Sequence, residues 1–505
     1  MLSTDSQLRA ARLVEIVEIL RERAAPDDRE LVLALAPVVF AEVPDRLALG
    51  LPAPALAARL LSHFKFIARE MPPAHQLFKG LPGIHVSARN PGEAEAAAMG
   101  GGQRLPLETT VVETHTADTP FIFESLKNYF QKAGLRVFSA IHPVFTVRRQ
   151  WERVVWIGGA HEEGSRECYC HFQIEPVESK ERLRHIEHQV FSVLKCVFLA
   201  VQDFRDMGRI CTDLAGRLRS RRGHEEELQS ARAFLGWLKD DNFIFMGTVS
   251  YRAGADGTLD RQDETATGTF LDEALLPVVF PGVMERVESH LQPARGHERI
   301  VDIDYCNNGT AIYHLEPVED IVVREWGADG QLQGATLLLG RFARGAFAQR
   351  ADRIPLLKEK HDWLLRESQA NPNSHTWREI RAAFNNFPKT ELFYADVTDL
   401  KQIIHRIVYM TGDDEIAVHV RRGQGYEALY IAFSRLRYAY QTEEALRRAL
   451  ADNFGPVAYS TSVDCGAVTL FLFYFDAAQL EHPVEAEEVR RLTAPLVTNW
   501  EDQVG

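Results

Sequence analysis

Asp118, Thr119 and Pro120 stand where a Thr- and Val-rich segment gives way to a stretch with an apolar stripe. Asp or Thr in that place can accept hydrogen bonds from the orphan N–H groups of a first helical turn, and Pro suits the first helical position. A helix start also attracts a carboxylate, through those same N–H groups and the positive end of its dipole. The triplet therefore suits a cap or a seat for the carboxylate of an amino acid, and caps are far the commoner use. A second group, Cys168, Cys170, His171, His185 and His188, invites a zinc reading. Strand alternation sends Cys168 and Cys170 to one face and His171 to the other. His185 and His188 fall off the apolar stripe of their helix and so toward solvent. Zinc needs four converging ligands, so these residues read as small core thiols and solvated histidines, and no metal site is expected. Gly423-Gln424-Gly425 precedes a strand and opens no helix, which makes it a hairpin turn. The sequence holds no G-x-G-x-x-G, G-x-x-x-x-G-K, G-x-S-x-G or H-E-x-x-H. No catalytic and no cofactor-binding residue is predicted.

These groups sit in a chain of 505 residues, too long for one core and suited to about three or four domains. A net charge of −14 argues against nucleic acid, since phosphate neutralisation needs concentrated Lys and Arg. The one basic cluster, Arg217, Arg219, Arg221 and Arg222, runs straight into Glu225, Glu226 and Glu227 and reads as a solvated joint. Met1 to Ala11 lacks the apolar core of a signal peptide. The most apolar run, Leu31 to Ala41, is interrupted by Pro37 and falls short of the roughly 18 residues of a membrane span. Six cysteines without a Cys-x-x-Cys framework fit reduced thiols in a cytoplasm.

Residues 1 to 79 read as a helical region: Leu13, Ile16, Val17 and Leu20 share one face, and Ala55 to Ile67 forms a second apolar stretch. Residues 80–106, with Pro82, Pro91 and the run Gly100 to Gly102, predict a linker holding at most one short strand, Ile84 to Ser87. Leu107 to His115 predicts a strand, Pro120 to Ala133 a helix ended by Gly134, then strands at Val137 to Val147, Arg153 to Ile157 and Cys168 to Glu175. Ser179 opens a long helix whose stripe runs from Leu183 to Phe204. After the joint Gly216 to Glu227, a domain at 228–370 predicts a helix, a strand at Phe243 to Tyr251, and strands at Ile300 to Asp304, Thr310 to Leu315, Asp320 to Glu325 and Ala335 to Gly340. Gly254 to Gly257, Asn308-Gly309 and Asp329-Gly330 supply turns, so this sheet is antiparallel. Helices at Pro355 to Ser368 and Ser374 to Asn385 lead through a connector, 371–390, to a last region, 391–480. There Leu392 to Ala395 predicts a strand, Val397 to Met410 a helix, Glu415 to Val420 and Ala428 to Phe433 a hairpin. A helix from Thr442 to Gly455 and strands Val457 to Ser462 and Ala467 to Phe475 close it. The chain is thus read as multidomain α+β, with two β-α-β-β-α-β modules, at 107–215 and 391–480, flanking an antiparallel-sheet domain, and a helical connection at 481–505.

Asp118-x-Pro120, a helix, and then Gly134-Leu135-x-Val137 resembles the ACT domain, a small ferredoxin-like module. The resemblance implies an amino-acid pocket, formed across paired modules and lined by Asp118, Thr119, Pro120, Gly134 and Leu135. A wider set of segments is similar to the N-terminal arm of the large NAD-specific glutamate dehydrogenases of bacteria. It comprises Thr110-Val111-Val112-Glu113, Thr119-Pro120-Phe121, Ile141-His142-Pro143-Val144 and Phe234-Leu235-x-Trp237-Leu238-x-Asp240-Asp241-x-Phe243. Ile354-Pro355-Leu356-Leu357, Phe387-Pro388-Lys389-Thr390-Glu391-Leu392-Phe393 and Val418-x-Val420-Arg421-Arg422 complete it.

This resemblance implies ACT-like modules flanking a PAS-like domain, with catalytic domains following. In the family those domains deaminate L-glutamate oxidatively to 2-oxoglutarate with NAD. The glutamate-binding lysines and Rossmann glycines have no counterpart here, and near Trp500-Glu501-Asp502 the family's arm continues. The chain is expected to be a non-catalytic regulatory and oligomer-building segment, either a piece of a longer chain or a free-standing arm. Its expected partners are a second copy of itself, the catalytic portion of the enzyme and an amino-acid effector, with no nucleic acid and no membrane. A free-standing amino-acid sensor is the alternative; an enzyme centred on 228–370 is the weakest reading.

Overall fold

The computed structural model describes residues 4–69, 83–92, 109–150, 153–219, 224–254, 258–285, 291, 299–306, 318–410, 412, 415–423, 425–438 and 441–497. The chain is α+β and divides into two compact units. Unit 1 comprises Met1–Asp203, Asp272–Pro281 and Thr310–Glu316; unit 2 comprises Phe204–Leu271, Gly282–Gly309 and Pro317–Gly505.

Unit 1 begins with helices α1 (Thr4–Arg23), α2 (Arg29–Glu42), α3 (Asp45–Gly50) and α4 (Ala53–Ile67). Pro44 and Pro52 stand just before α3 and α4, where a missing N–H costs nothing. A sheet follows: β1 (Ile84–Arg89), β2 (Thr110–Ala117), then helix α5 (Ile122–Lys132), β3 (Val137–Ile141), β4 (Val144–Gln150), β5 (Arg153–Gly159) and β6 (Ser165–Ile174). Helix α6 (Lys180–Arg217) leaves it. All pairings are antiparallel, in the order β1-β2-β6-β4-β5, with β3 also on β6. β2 and β6 lie at the centre and are buried on both faces. One face carries Phe172, against which Phe123 and Phe130 of α5 pack at 5.5 and 4.9 Å. The other carries Tyr169, which meets His63 and Phe66 of α4 and shares one core with Ile16, Leu35, Phe40 and Leu60.

One sequence expectation is extended here and one corrected. The short strand expected at Ile84 to Ser87 runs on to Arg89 as a paired edge strand, β1, in register with β2. That strand takes the place beside β2 that a β-α-β-β-α-β chain fills with a strand after its second helix. The predicted strand Val137 to Val147 is broken at His142-Pro143, since Pro has no N–H to give the ladder.

Unit 2 holds α7 (Glu225–Trp237) and a five-stranded sheet: β7 (Phe243–Ala253), β8 (Leu259–Gly268), β9 (Val301–Cys306), β10 (Val318–Trp326) and β11 (Leu332–Phe342). Its order is β8-β7-β11-β10-β9, antiparallel throughout. β8 escapes the sequence reading because Leu-Asp-Arg-Gln-Asp-Glu is an exposed edge without apolar alternation. The expected strand Thr310 to Leu315 and the turn Asn308-Gly309 lie outside the described residues. Helices α8 (Leu357–Glu367), α9 (His375–Asn386), α10 (Lys389–Tyr394) and α11 (Val397–Val408) follow. A second sheet, ordered β12-β13-β15-β14, is built from β12 (Ile416–Gly423), β13 (Tyr426–Ser434), α12 (Thr442–Phe454), β14 (Val457–Cys465) and β15 (Val468–Asp476).

The expected strand Leu392 to Ala395 falls instead on α10 and its C-terminus. Lys360 Nζ donates to the carbonyl oxygens of Leu392, Phe393 and Ala395 at 2.7, 2.8 and 2.8 Å. A cation on those orphan acceptors rewards a helix end. The second module departs from the expected pattern in its layers too. Tyr430, Leu470 and Leu472 point into the core that includes Leu400 and Ile404 of α11, whereas Leu429, Ile431 and Phe473 point to Leu446 and Leu450 of α12. Its two helices therefore cover opposite faces.

At the centre of unit 2, Glu391 is fully buried. It accepts hydrogen bonds from the hydroxyls of Tyr430 and Tyr474 and from Arg421 Nε at 2.8 Å. Arg421 also donates to Tyr426 Oη at 2.8 Å, and Tyr426 in turn to Asp304 at 3.0 Å. Removing one partner strands a buried charge, so Glu391→Ala should destabilise unit 2 by roughly 3–5 kcal/mol in urea unfolding. Pairing Glu391→Leu with Arg421→Met should recover most of that loss.

Candidate functional site

β2 ends at Ala117, and Asp118 turns the chain. Its N–H donates to Arg166 O at 2.9 Å and its carboxylate pairs with the Arg166 guanidinium at 2.8 Å. With Asp118 so engaged, no side chain caps α5, which opens at Ile122 behind Phe121 in a left-handed conformation, φ 75°. Pro120 lies in the turn before Phe121, not at the first helical position the sequence suggests. Gly134, φ 68°, and buried Leu135 stand at the other end of α5. Eleven helical residues at 1.5 Å each separate the two groups by about 16 Å. Asp118, Thr119 and Pro120 are thus together, Gly134 and Leu135 are together, and within one chain the five do not share one small pocket.

Leu135 faces a groove of about 390 Å³ between α5 and α6. Tyr129 and Lys132 line it from α5, Arg182, His185 and Ile186 from α6, and Val278, Val279 and Pro281 complete a wall. Burial pushes the Tyr129 hydroxyl up to about 12, even with Arg182 nearby. Apolar walls with two cationic side chains suit a ligand with a carboxylate head and an apolar body. His185 and His188 are exposed, as the sequence reading has them.

Beneath α4, the opposite face of the sheet carries a buried polar layer. Tyr169 Oη donates to Glu113 at 2.6 Å and lies 2.7 Å from His63 Nδ1, while Arg89 reaches Glu113 at 3.2 Å. Burial holds His171 down to about 3, with Arg59 and Arg89 adding repulsion. Farther along, Glu167 accepts from Arg149 through two bonds of 2.8 Å and meets His115 Nε2 at 2.7 Å. Burial raises its pKa, but those donors outweigh burial and bring it to about 2. Sequence reasoning weighs only His171 from this layer as a chemical group, and quotes Glu113 only within a family-like segment. The partners lie 18 to 106 residues apart in sequence, and no spacing signals them.

On the α5 face, Cys168 and Cys170 are buried side by side, as alternation requires. The structure adds a neighbour the sequence reading did not place there: His142, from the break between β3 and β4. Its ring stacks on Phe123 at 5.1 Å. Cys170 beside it draws the Cys168 thiol down to about 6 against the effect of burial, with help from His142 and Thr116.

The family model described as glutamate dehydrogenase, ACT1 domain, matches residues 35–190, and that described as glutamate dehydrogenase, helical motif 1, matches residues 354–413. The first runs from α2 through the whole sheet into α6, and the second covers α8 to α11. The NAD-specific glutamate dehydrogenase of Halomonas elongata is 23% identical over 413 residues, 77% of this chain and 25% of that protein. The NAD-specific glutamate dehydrogenase of Pseudomonas aeruginosa is 22% identical over 349 residues, 67% of this chain and 21% of that protein.

The chain belongs to the NAD-specific glutamate dehydrogenase family. It spans about a quarter of the length of these curated relatives. NAD is the cofactor that the names of these glutamate dehydrogenases carry. The Gly423–Gly425 turn joins two antiparallel strands and opens no helix, so it does not fit a pyrophosphate, which needs a strand-to-helix turn. Among the described residues no helix is long and apolar enough to cross a membrane.

The Glu167 cluster gives the chain a pH signature. Its carboxyl is depressed in the folded state, so its stabilisation is present above about 4.5 and is lost as pH falls toward about 2. The stability gap between wild type and Glu167→Gln should narrow by up to about 3 kcal/mol between pH 5 and pH 2. Urea titrations at the two pH values check this.

Proposed function

We propose that this chain is a non-catalytic regulatory and oligomer-building part of an NAD-dependent glutamate dehydrogenase, acting in the cytoplasm. The observation that carries the reading is the ACT1 match over 35–190, on the same residues that form the antiparallel sheet and the α5 side of its flanking groove. The five-stranded sheet of unit 2, in which the first strand lies between the second and the fifth, supports a PAS-like domain. Edge strands β1 and β5 offer ladders on which a second copy can pair. The purified chain should give no NAD reduction with glutamate, and light scattering should report a dimer or larger species. Turnover above background, or a strict monomer at high micromolar concentration, would falsify the respective half of the proposal.

The regulatory signal in this reading is an amino acid. Two seats in unit 1 suit it: the uncapped start of α5 at Asp118, Thr119 and Pro120, and the groove beside Gly134 and Leu135. At the first, backbone N–H groups receive the carboxylate and Asp118 faces the ammonium group. At the second, Lys132 and Arg182 receive the carboxylate. An amino acid at about 100 times its dissociation constant adds about 2.7 kcal/mol, a melting shift of roughly 2–4 °C for units of this size. Thermal-shift screening of the common amino acids should find one that binds. Asp118→Ala should abolish the shift if the loop is the seat, Lys132→Ala if the groove is. A shift that survives both, or none with any amino acid, removes the effector reading.

A further inference from the structure

We propose that His142, Cys168 and Cys170 form a binding site for zinc. The ligating atoms of the three side chains all lie within 4.8 Å of one another. In a tetrahedral site with Zn–S about 2.3 Å and Zn–N about 2.0 Å, ligand atoms stand roughly 3.5 Å apart. The three side chains need only a small inward adjustment to reach that geometry.

The chemistry of the trio favours a metal over a disulfide. Cys168 and Cys170 are two residues apart on one strand, so their Cα atoms are about 6.7 Å apart and their Cβ bonds run parallel. That separation is at the upper limit for an S–S bridge, whose Cβ vectors must converge. Parallel thiols on one face are instead a natural two-pronged clasp for a soft divalent ion. His142 supplies the third prong, and its buried Nε2 has no hydrogen-bond partner. Zinc takes each cysteine as its thiolate, so binding would release the thiol protons. His142 is only half-buried, which leaves a path of entry.

A second buried group, His63, Glu113 and His171, is equally compact. Charge decides against it. Arg89 and Tyr169 already hold Glu113, and Arg59 and Arg89 repel any added cation at the two imidazoles.

The full chain should be expressed with zinc, dialysed against metal-free buffer, and analysed by elemental mass spectrometry. About one equivalent of zinc is expected. Replacement by cobalt(II) should give a near-ultraviolet thiolate-to-cobalt charge-transfer band and strong visible bands of a tetrahedral ion. Cys168→Ser/Cys170→Ser should lose the charge-transfer band, and His142→Ala should lower zinc affinity at least tenfold. Since His142 lies in a half-buried break between strands, that variant keeps the protein folded and decides the matter if the double Ser variant does not fold. Substoichiometric zinc, a cobalt form without the charge-transfer band, or an unchanged affinity in folded His142→Ala overturns the assignment.

Discussion

A carboxylate with no water around it governs unit 2. Glu391 is completely buried, and an isolated ion there is far too costly to tolerate. Its compensation comes from three strands at once: Arg421 on β12, Tyr430 on β13 and Tyr474 on β15, while Glu391 itself sits on α10. Strand register and helix position are therefore coupled. A one-residue slip of β13 would turn Tyr430 to the opposite face, toward α12, and leave the carboxylate short of a donor. Tyr426, bridging Arg421 to Asp304 of β9, extends the same constraint to the five-stranded sheet.

The rest of the polar interior of unit 2 follows from keeping net charge low around that pair. Lys360 spends its three donors on the end of α10, and burial lowers its pKa to about 7. Burial raises Glu319 to about 8, where it takes a hydrogen bond from Tyr394 at 3.1 Å. Beside the Glu391–Arg421 pair the interior thus holds neighbours, Lys360 and Glu319, whose pKa values are displaced toward the neutral form. Such a network costs stability relative to apolar packing, and it ties one arrangement of sheets and helices together.

Much of this was legible in the sequence at the level of elements and little at the level of sites. The stripes of α1, α5, α6 and α11 and the runs of β7, β10, β13 and β15 read correctly because periodicity is local. Leu392 to Ala395 misread because what makes it helical, Lys360, lies some thirty residues upstream. β8 and β1 were missed or demoted because edge strands need no apolar alternation. Glu391 and Arg421 both fall in segments quoted for the family resemblance, yet nothing in either segment announces that they pair. The layer from His63 to Glu167 was invisible for the same reason: alternation tells which face a residue occupies, never who stands opposite.

That rule of alternation also explains how one small sheet in unit 1 carries two chemistries. On β6 the residues Glu167, Tyr169 and His171 face the N-terminal helices, and Cys168, Cys170 and Phe172 face α5. The first set meets Arg59, Arg89 and Arg149, so it is cation-rich, a layer that fastens helices to strands. The second meets an imidazole and an apolar helix, with Asp118 at its rim and no guanidinium among the groups acting on Cys168 or His142. The sheet is a barrier a few ångströms thick between a surface already neutralised and one that still accepts a positive ion. The side of the sheet with chemistry to spare is therefore the side that carries α5, where the Asp118 loop opens.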